Sequence, residues 1–129
     1  MSHRKKVLII DPSKNYRRTL REVIRMSNSQ VDVTEAGDAD QALAALRRET
    51  PDLVFLDIAL PESKGINFIE SIRSRLPDVQ IVVLTSRDSV EHQEASFQKG
   101  ADYFLSKEKS RGLHFLEVIQ AALKPRAAT

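Results

Sequence analysis

Cysteine is absent from the sequence, which rules out disulfides and thiolate metal sites and agrees with a reducing, cytoplasmic setting. Long apolar runs are absent too. The basic start at His3, Arg4, Lys5 and Lys6 is followed by only Val7 to Ile10 before Asp11, too short for a signal peptide core or a membrane span. Neither charge sign dominates: 20 Lys and Arg face 18 Asp and Glu, far from the basic excess of a nucleic-acid binder. No Gly-rich loop ends in Gly-Lys-Ser/Thr, and no Gly-x-Ser-x-Gly elbow occurs. His3, His92 and His114 are scattered without ligand spacing.

What remains is ordered. Five short apolar runs, Val7–Ile10, Val31–Val33, Leu53–Leu56, Ile81–Leu84 and Tyr103–Leu105, have the length of buried strands. Between them lie stretches with helical spacing: Tyr16, Leu20, Val23 and Ile24; Ala42, Leu43 and Leu46; Ile66, Phe68, Ile69 and Ile72. A last one runs from Leu113 to Leu123. Continuous apolar strands alternating with amphipathic helices predict an α/β fold, a doubly wound parallel (βα)5 sheet covered on both faces. At 129 residues the chain has room for one domain, expected over residues 4–124, with 125–129 as a tail or cut linker.

Polar residues end four of the strands: Asp11 after the first, Asp57 after the third, Thr85 and Ser86 at the fourth, Ser106 and Lys107 at the fifth. Open parallel sheets bind ligands beyond the carboxyl ends of their strands, where strand order reverses. In the flavodoxin-like order 2-1-3-4-5, Asp11 and Asp57 become neighbours there, and Thr85 and Lys107 follow. Two carboxylates can hold Mg²⁺, a lysine and a hydroxyl can meet phosphoryl oxygens, and an aspartate can be the nucleophile that forms an aspartyl phosphate.

The segment from Pro51 through Asp57 to Pro61, followed by Gly65, resembles the phosphoacceptor signature of response-regulator receiver domains. Val7 to Asp11, Val82 to Ser86 and Gly100 to Lys107 are similar to that family's first, fourth and fifth strands. The resemblance implies Asp57 as phosphoacceptor, with Asp11, Asp57 and the Ala59 carbonyl as Mg²⁺ ligands. Lys107 and Thr85 would bind phosphate, and Thr85 with Phe104 would form the switch pair. It further implies a histidine kinase or histidine phosphotransfer protein as donor, a downstream effector or output domain, and homodimerisation through helix 4, strand 5 and helix 5. Neither direct nucleic-acid binding nor membrane association is expected within this chain, and enzymatic activity is limited to slow self-dephosphorylation.

Two positions depart from that family. Pro12 stands where a second acid is usual, and Glu108 where proline often follows the lysine. The first departure leaves room for a pseudo-receiver, an unphosphorylated protein-interaction module. It also allows Asp11 to be read as a helix N-cap with Pro12 at the first helical position. On the first helix, Arg17, Arg18 and Arg21 form either a docking face for an acidic partner or an ordinary solvated face.

Overall fold

The computed structural model describes residues 4–61, 65–110 and 112–124. Ten elements alternate along them: β1 (Lys5–Ile10), α1 (Lys14–Ser27), β2 (Val31–Ala36), α2 (Ala39–Arg48), β3 (Leu53–Leu56), α3 (Gly65–Arg75), β4 (Gln80–Thr85), α4 (Val90–Lys99), β5 (Tyr103–Ser106) and α5 (Gly112–Leu123). All strand pairs are parallel and the order is β2-β1-β3-β4-β5, as expected. The proposed tail, 125–129, lies outside the described residues.

Strand alternation divides the core into two layers. Leu8, Ile10, Val54, Leu56, Ile81 and Val83 face α2 and α3, meeting Ala42, Ala45, Phe68, Ile69 and Ile72. Val7, Ile9, Leu53, Phe55, Val82, Leu84 and Leu105 face α1 and α5, meeting Leu20, Ile24, Ile119 and Ala122. Because helices cover both faces, central β3 is buried along its whole length and reads as an unbroken apolar run.

β2 is longer than expected, extending through Thr34 and Glu35 to Ala36. It is an edge strand, so its Asp32, Val33, Thr34 and Glu35 are only partly covered or exposed, and polar residues are tolerated. The helix starts follow local capping chemistry. Ser13, Asp38 and Ser89 cap α1, α2 and α4, each side chain accepting the N–H three residues on. The N-cap reading of Asp11 is therefore corrected: Ser13 holds that position, and Pro12 precedes the helix.

Two glycines are dictated by space. A Cβ on Gly65 would overlap the Ile58 carbonyl, so α3 can start against the end of β3 only with glycine there. Gly100 ends α4 at φ 119°, a left-handed position, with the Arg73 side chain packed against it.

Candidate functional site

The backbone ladder continues one residue past the strand ends and so places the site. Asp11 N–H donates to the Ala36 carbonyl (3.0 Å), Asp57 N–H to Ile10 (2.9 Å) and Lys107 N–H to Thr85 (2.9 Å). Asp11, Asp57 and Lys107 are thus registered against neighbouring strands before any side-chain contact is made.

Their side chains then close on one another. Lys107 Nζ lies 2.6 Å from Asp11 Oδ2 and 3.0 Å from Asp57 Oδ2, so one ammonium spans both carboxylates. Asp57 Oδ1 accepts from the Thr85 hydroxyl (2.6 Å) and the Ala59 N–H (2.8 Å). Asp11 Oδ1 accepts from the Ser13 N–H (2.8 Å). Asp11, Asp57 and Thr85 are buried, and every oxygen of the two carboxylates has a donor. Burial alone would lower the Lys107 pKa, but hydrogen bonds and charge from Asp11 and Asp57 outweigh it and hold the ammonium above the ordinary lysine value. The Tyr16 ring lies over that ammonium, and burial pushes the Tyr16 phenol up as well.

The fold thus brings Thr85, Ala59 and Lys107 to Asp57, with Asp11 alongside. Phe104 sits opposite Val83 on β5 and packs on the α2/α3 side, while Tyr103 packs on the α1/α5 side. The three arginines divide. Arg17 is largely covered, donating to the Asp11 carbonyl (2.6 Å) and pairing with Glu35 (3.0 Å), and Arg21 also pairs with Glu35 (3.0 Å). Arg18 is exposed. Arg17 is thus a framework group behind Asp11 rather than an open docking cation.

Several residues near the site escaped sequence reasoning. Tyr16 looked like one member of an apolar stripe, yet the first turn of α1 carries it over Lys107. Ser106, buried at the end of β5, donates to Asp88 (2.6 Å) and ties the β4–α4 loop to β5. Only its strand-end position hinted at this.

The donors can be tested against a metal ion. Among the described residues no three acidic or histidine side chains gather as a cage, and Pro12 supplies no donor. Two carboxylates that share one ammonium remain, and these are hard oxygen donors of the kind a hydrated divalent ion uses when waters and a phosphoryl group complete its shell. The set fits such an ion with one acid fewer than the family pattern.

Comparison with known proteins now adds to this geometry. The model of the response regulator receiver domain matches residues 7–119, and the chain belongs to that family. It is 38% identical over 76 residues to a probable transcriptional regulatory protein, TcrX, of Mycobacterium tuberculosis, covering 59% of this chain and 32% of that protein. It is 33% identical over 102 residues to the response regulator MprA of Mycobacterium leprae, covering 79% of this chain and 44% of the relative. The chain thus spans less than half the length of these relatives.

Among solved structures, a CheY-like receiver domain protein from Methanospirillum hungatei superposes with a TM-score of 0.84 at 25% identity, covering 94% of each chain. A response regulator from Burkholderia pseudomallei, solved with a phosphorylated aspartic acid, calcium ion and citrate, matches at a TM-score of 0.79 and 28% identity, over 93% of this chain and 66% of that one. Receiver domains are signalling phosphoacceptors of two-component systems rather than enzymes in the ordinary sense. Among the described residues no helix is long and apolar enough to cross a membrane.

Proposed function

We propose that this receiver domain takes a phosphoryl group from a phosphohistidine partner, a histidine kinase or histidine phosphotransfer protein, onto Asp57. The observation that carries the reading is the surroundings of Asp57: a buried carboxylate at the end of β3 with Lys107 on one oxygen, Thr85 and the Ala59 N–H on the other, and Asp11 beside it. A carboxylate oxygen of Asp57 attacks phosphorus, the P–N bond breaks, and the imidazole leaves with the electron pair and takes up a proton.

Asp11, Asp57 and the Ala59 carbonyl would hold Mg²⁺, which supplies positive charge to the transferring phosphoryl oxygens. The protein's own groups do the rest. The Lys107 ammonium shifts from carboxylate to phosphoryl oxygen over a short path, and the Thr85 hydroxyl donates to another. Because Thr85 ends β4 and Phe104 packs one strand over, the same contacts bias the α4–β5–α5 face, through which an effector, an output domain or a second copy would be engaged. A cytoplasmic setting follows from this role.

A pseudo-receiver is the second reading, favoured by Pro12 and by the way Lys107, the Thr85 hydroxyl and the N–H groups of Ser13 and Ala59 together give every oxygen of Asp11 and Asp57 a donor. One experiment separates the two. Incubation with acetyl phosphate and Mg²⁺ is expected to add one phosphoryl mass to the wild type and none to Asp57→Asn. Absence of a Mg²⁺-dependent adduct on the wild type would sink the phosphoacceptor reading.

A further inference from the structure

The lysine that spans the acid pair is itself held from outside. Its Nζ lies 4.1 Å from the centroid of the Tyr16 ring, well within the range where an ammonium is attracted to an aromatic face. Tyr16 is set there by the first turn of α1, where its N–H donates to the Ser13 hydroxyl (3.1 Å). The Lys107 side chain is only 13% exposed, so the attraction acts where water screens it little.

Ring, ammonium and two carboxylates make a cluster whose positive member belongs to the protein. Any divalent ion that reaches Asp11 and Asp57 meets oxygens already engaged by Lys107, and a tethered ammonium yields less readily than a free one. With Pro12 in place of a further acid, no extra negative charge favours the incoming ion over the resident one.

We propose that Tyr16 is a positioning residue of the phosphoacceptor site: its ring holds the Lys107 ammonium across Asp11 and Asp57 as a resident cation that competes with a divalent ion. The proposal rests on the phosphoacceptor reading given above. Tyr16 thereby sets the affinity of an ion it does not touch.

The test is a Mg²⁺ titration of the ¹⁵N-labelled full chain, followed at the Ala59 amide, whose N–H donates to Asp57. Tyr16→Leu is expected to bind Mg²⁺ about three- to tenfold more tightly than the wild type, and Tyr16→Phe to stay within about twofold of it. Tyr16 is half-buried beside Leu20, Val23 and Phe115 on an open groove, a setting that accepts Leu; Tyr16→Met serves if Tyr16→Leu does not fold.

A double-mutant cycle with Lys107→Met distinguishes positioning from packing. Lys107→Met alone should tighten Mg²⁺ binding, and adding Tyr16→Leu to it should change nothing further. Equal or weaker binding by Tyr16→Leu, or the same gain with and without Lys107, overturns the proposal. If no protein in the set shows a saturable Mg²⁺ shift, the phosphoacceptor reading with its metal falls and takes the proposal with it. That pattern is distinct from all variants titrating alike.

Discussion

Two cation–carboxylate clusters occupy opposite ends of the sheet, and they are built differently. Beyond the amino ends of β4 and β5, Arg73 at the end of α3 pairs with Asp102 (2.7 Å) and donates to the carbonyls of Pro77 (3.0 Å), Val79 (2.6 Å) and Gly100 (2.7 Å). Asp102 in turn accepts the Ile81 N–H (2.8 Å). Beyond the carboxyl ends, the Lys107 ammonium meets side chains among the described residues: Asp11, Asp57 and the Tyr16 ring. The planar guanidinium matches several fixed backbone acceptors at once and locks loops together, whereas the ammonium is a compact point charge on a flexible stem. One cluster is framework. The other, on the reading proposed above, holds a cation that a divalent ion competes with.

The largest expected effect breaks the framework cluster. Arg73→Ala takes the guanidinium away from partly buried Asp102 and removes a donor from the carbonyls of Pro77, Val79 and Gly100, at a cost of about 3–5 kcal/mol, read as a lower urea midpoint. Arg73→Lys should recover only part of this, since an ammonium cannot repeat the fork; full recovery would erase the contrast drawn between the two ends. At the other end, Lys107→Met leaves Asp11 and Asp57 facing each other with no cation, costing about 1–3 kcal/mol in metal-free buffer. Mg²⁺ should raise the Tm of Lys107→Met more than that of the wild type, and should leave the Arg73→Ala deficit in place.

Ser96 belongs to neither cluster. Its hydroxyl is buried in α4 and, among the described residues, has no hydrogen-bond partner. Ser96→Ala should stabilise by about 1 kcal/mol, a rise of roughly 3–5 °C in thermal melting, because an unsatisfied buried hydroxyl is removed with little change in volume. A loss of stability would show that the hydroxyl is satisfied in solution.

The smallest effect is in pH. The Lys107 pKa is raised above 10.5 in the folded chain, so its stabilisation is complete below that value and is lost as pH climbs through the folded pKa. The Tyr16 phenol, raised above 10.0, acts in the same direction, because the unfolded chain ionises first. Urea midpoints should therefore fall above about pH 10 in the wild type and fall less in Lys107→Met with Tyr16→Phe.

Much of the fold was legible because its strands are central. The clearest case is β3, whose Leu53, Val54, Phe55 and Leu56 are all buried and end abruptly in Asp57. The end of β2 was not legible, since an edge strand with one covered face carries Thr34 and Glu35. Asp57, Asp11, Thr85 and Lys107 stood out as polar residues ending apolar runs. Tyr16 did not, because an aromatic on the inner side of a helix looks like packing until the neighbouring strand end is known. Arg73 was invisible for another reason: most of its partners are backbone carbonyls, which carry no residue signature.

By itself the sequence determined the alternation of buried strands and amphipathic helices, and the chemistry waiting at each strand end, because both are written in local patterns of apolar and polar residues. Only the tertiary structure decided which charges share a partner. Lys107 and Asp57 are 50 residues apart, and Arg73 and Asp102 are 29 apart. Such meetings depend on strand order and helix packing, and it is there that the cation of the site, Lys107, is separated from that of the frame, Arg73.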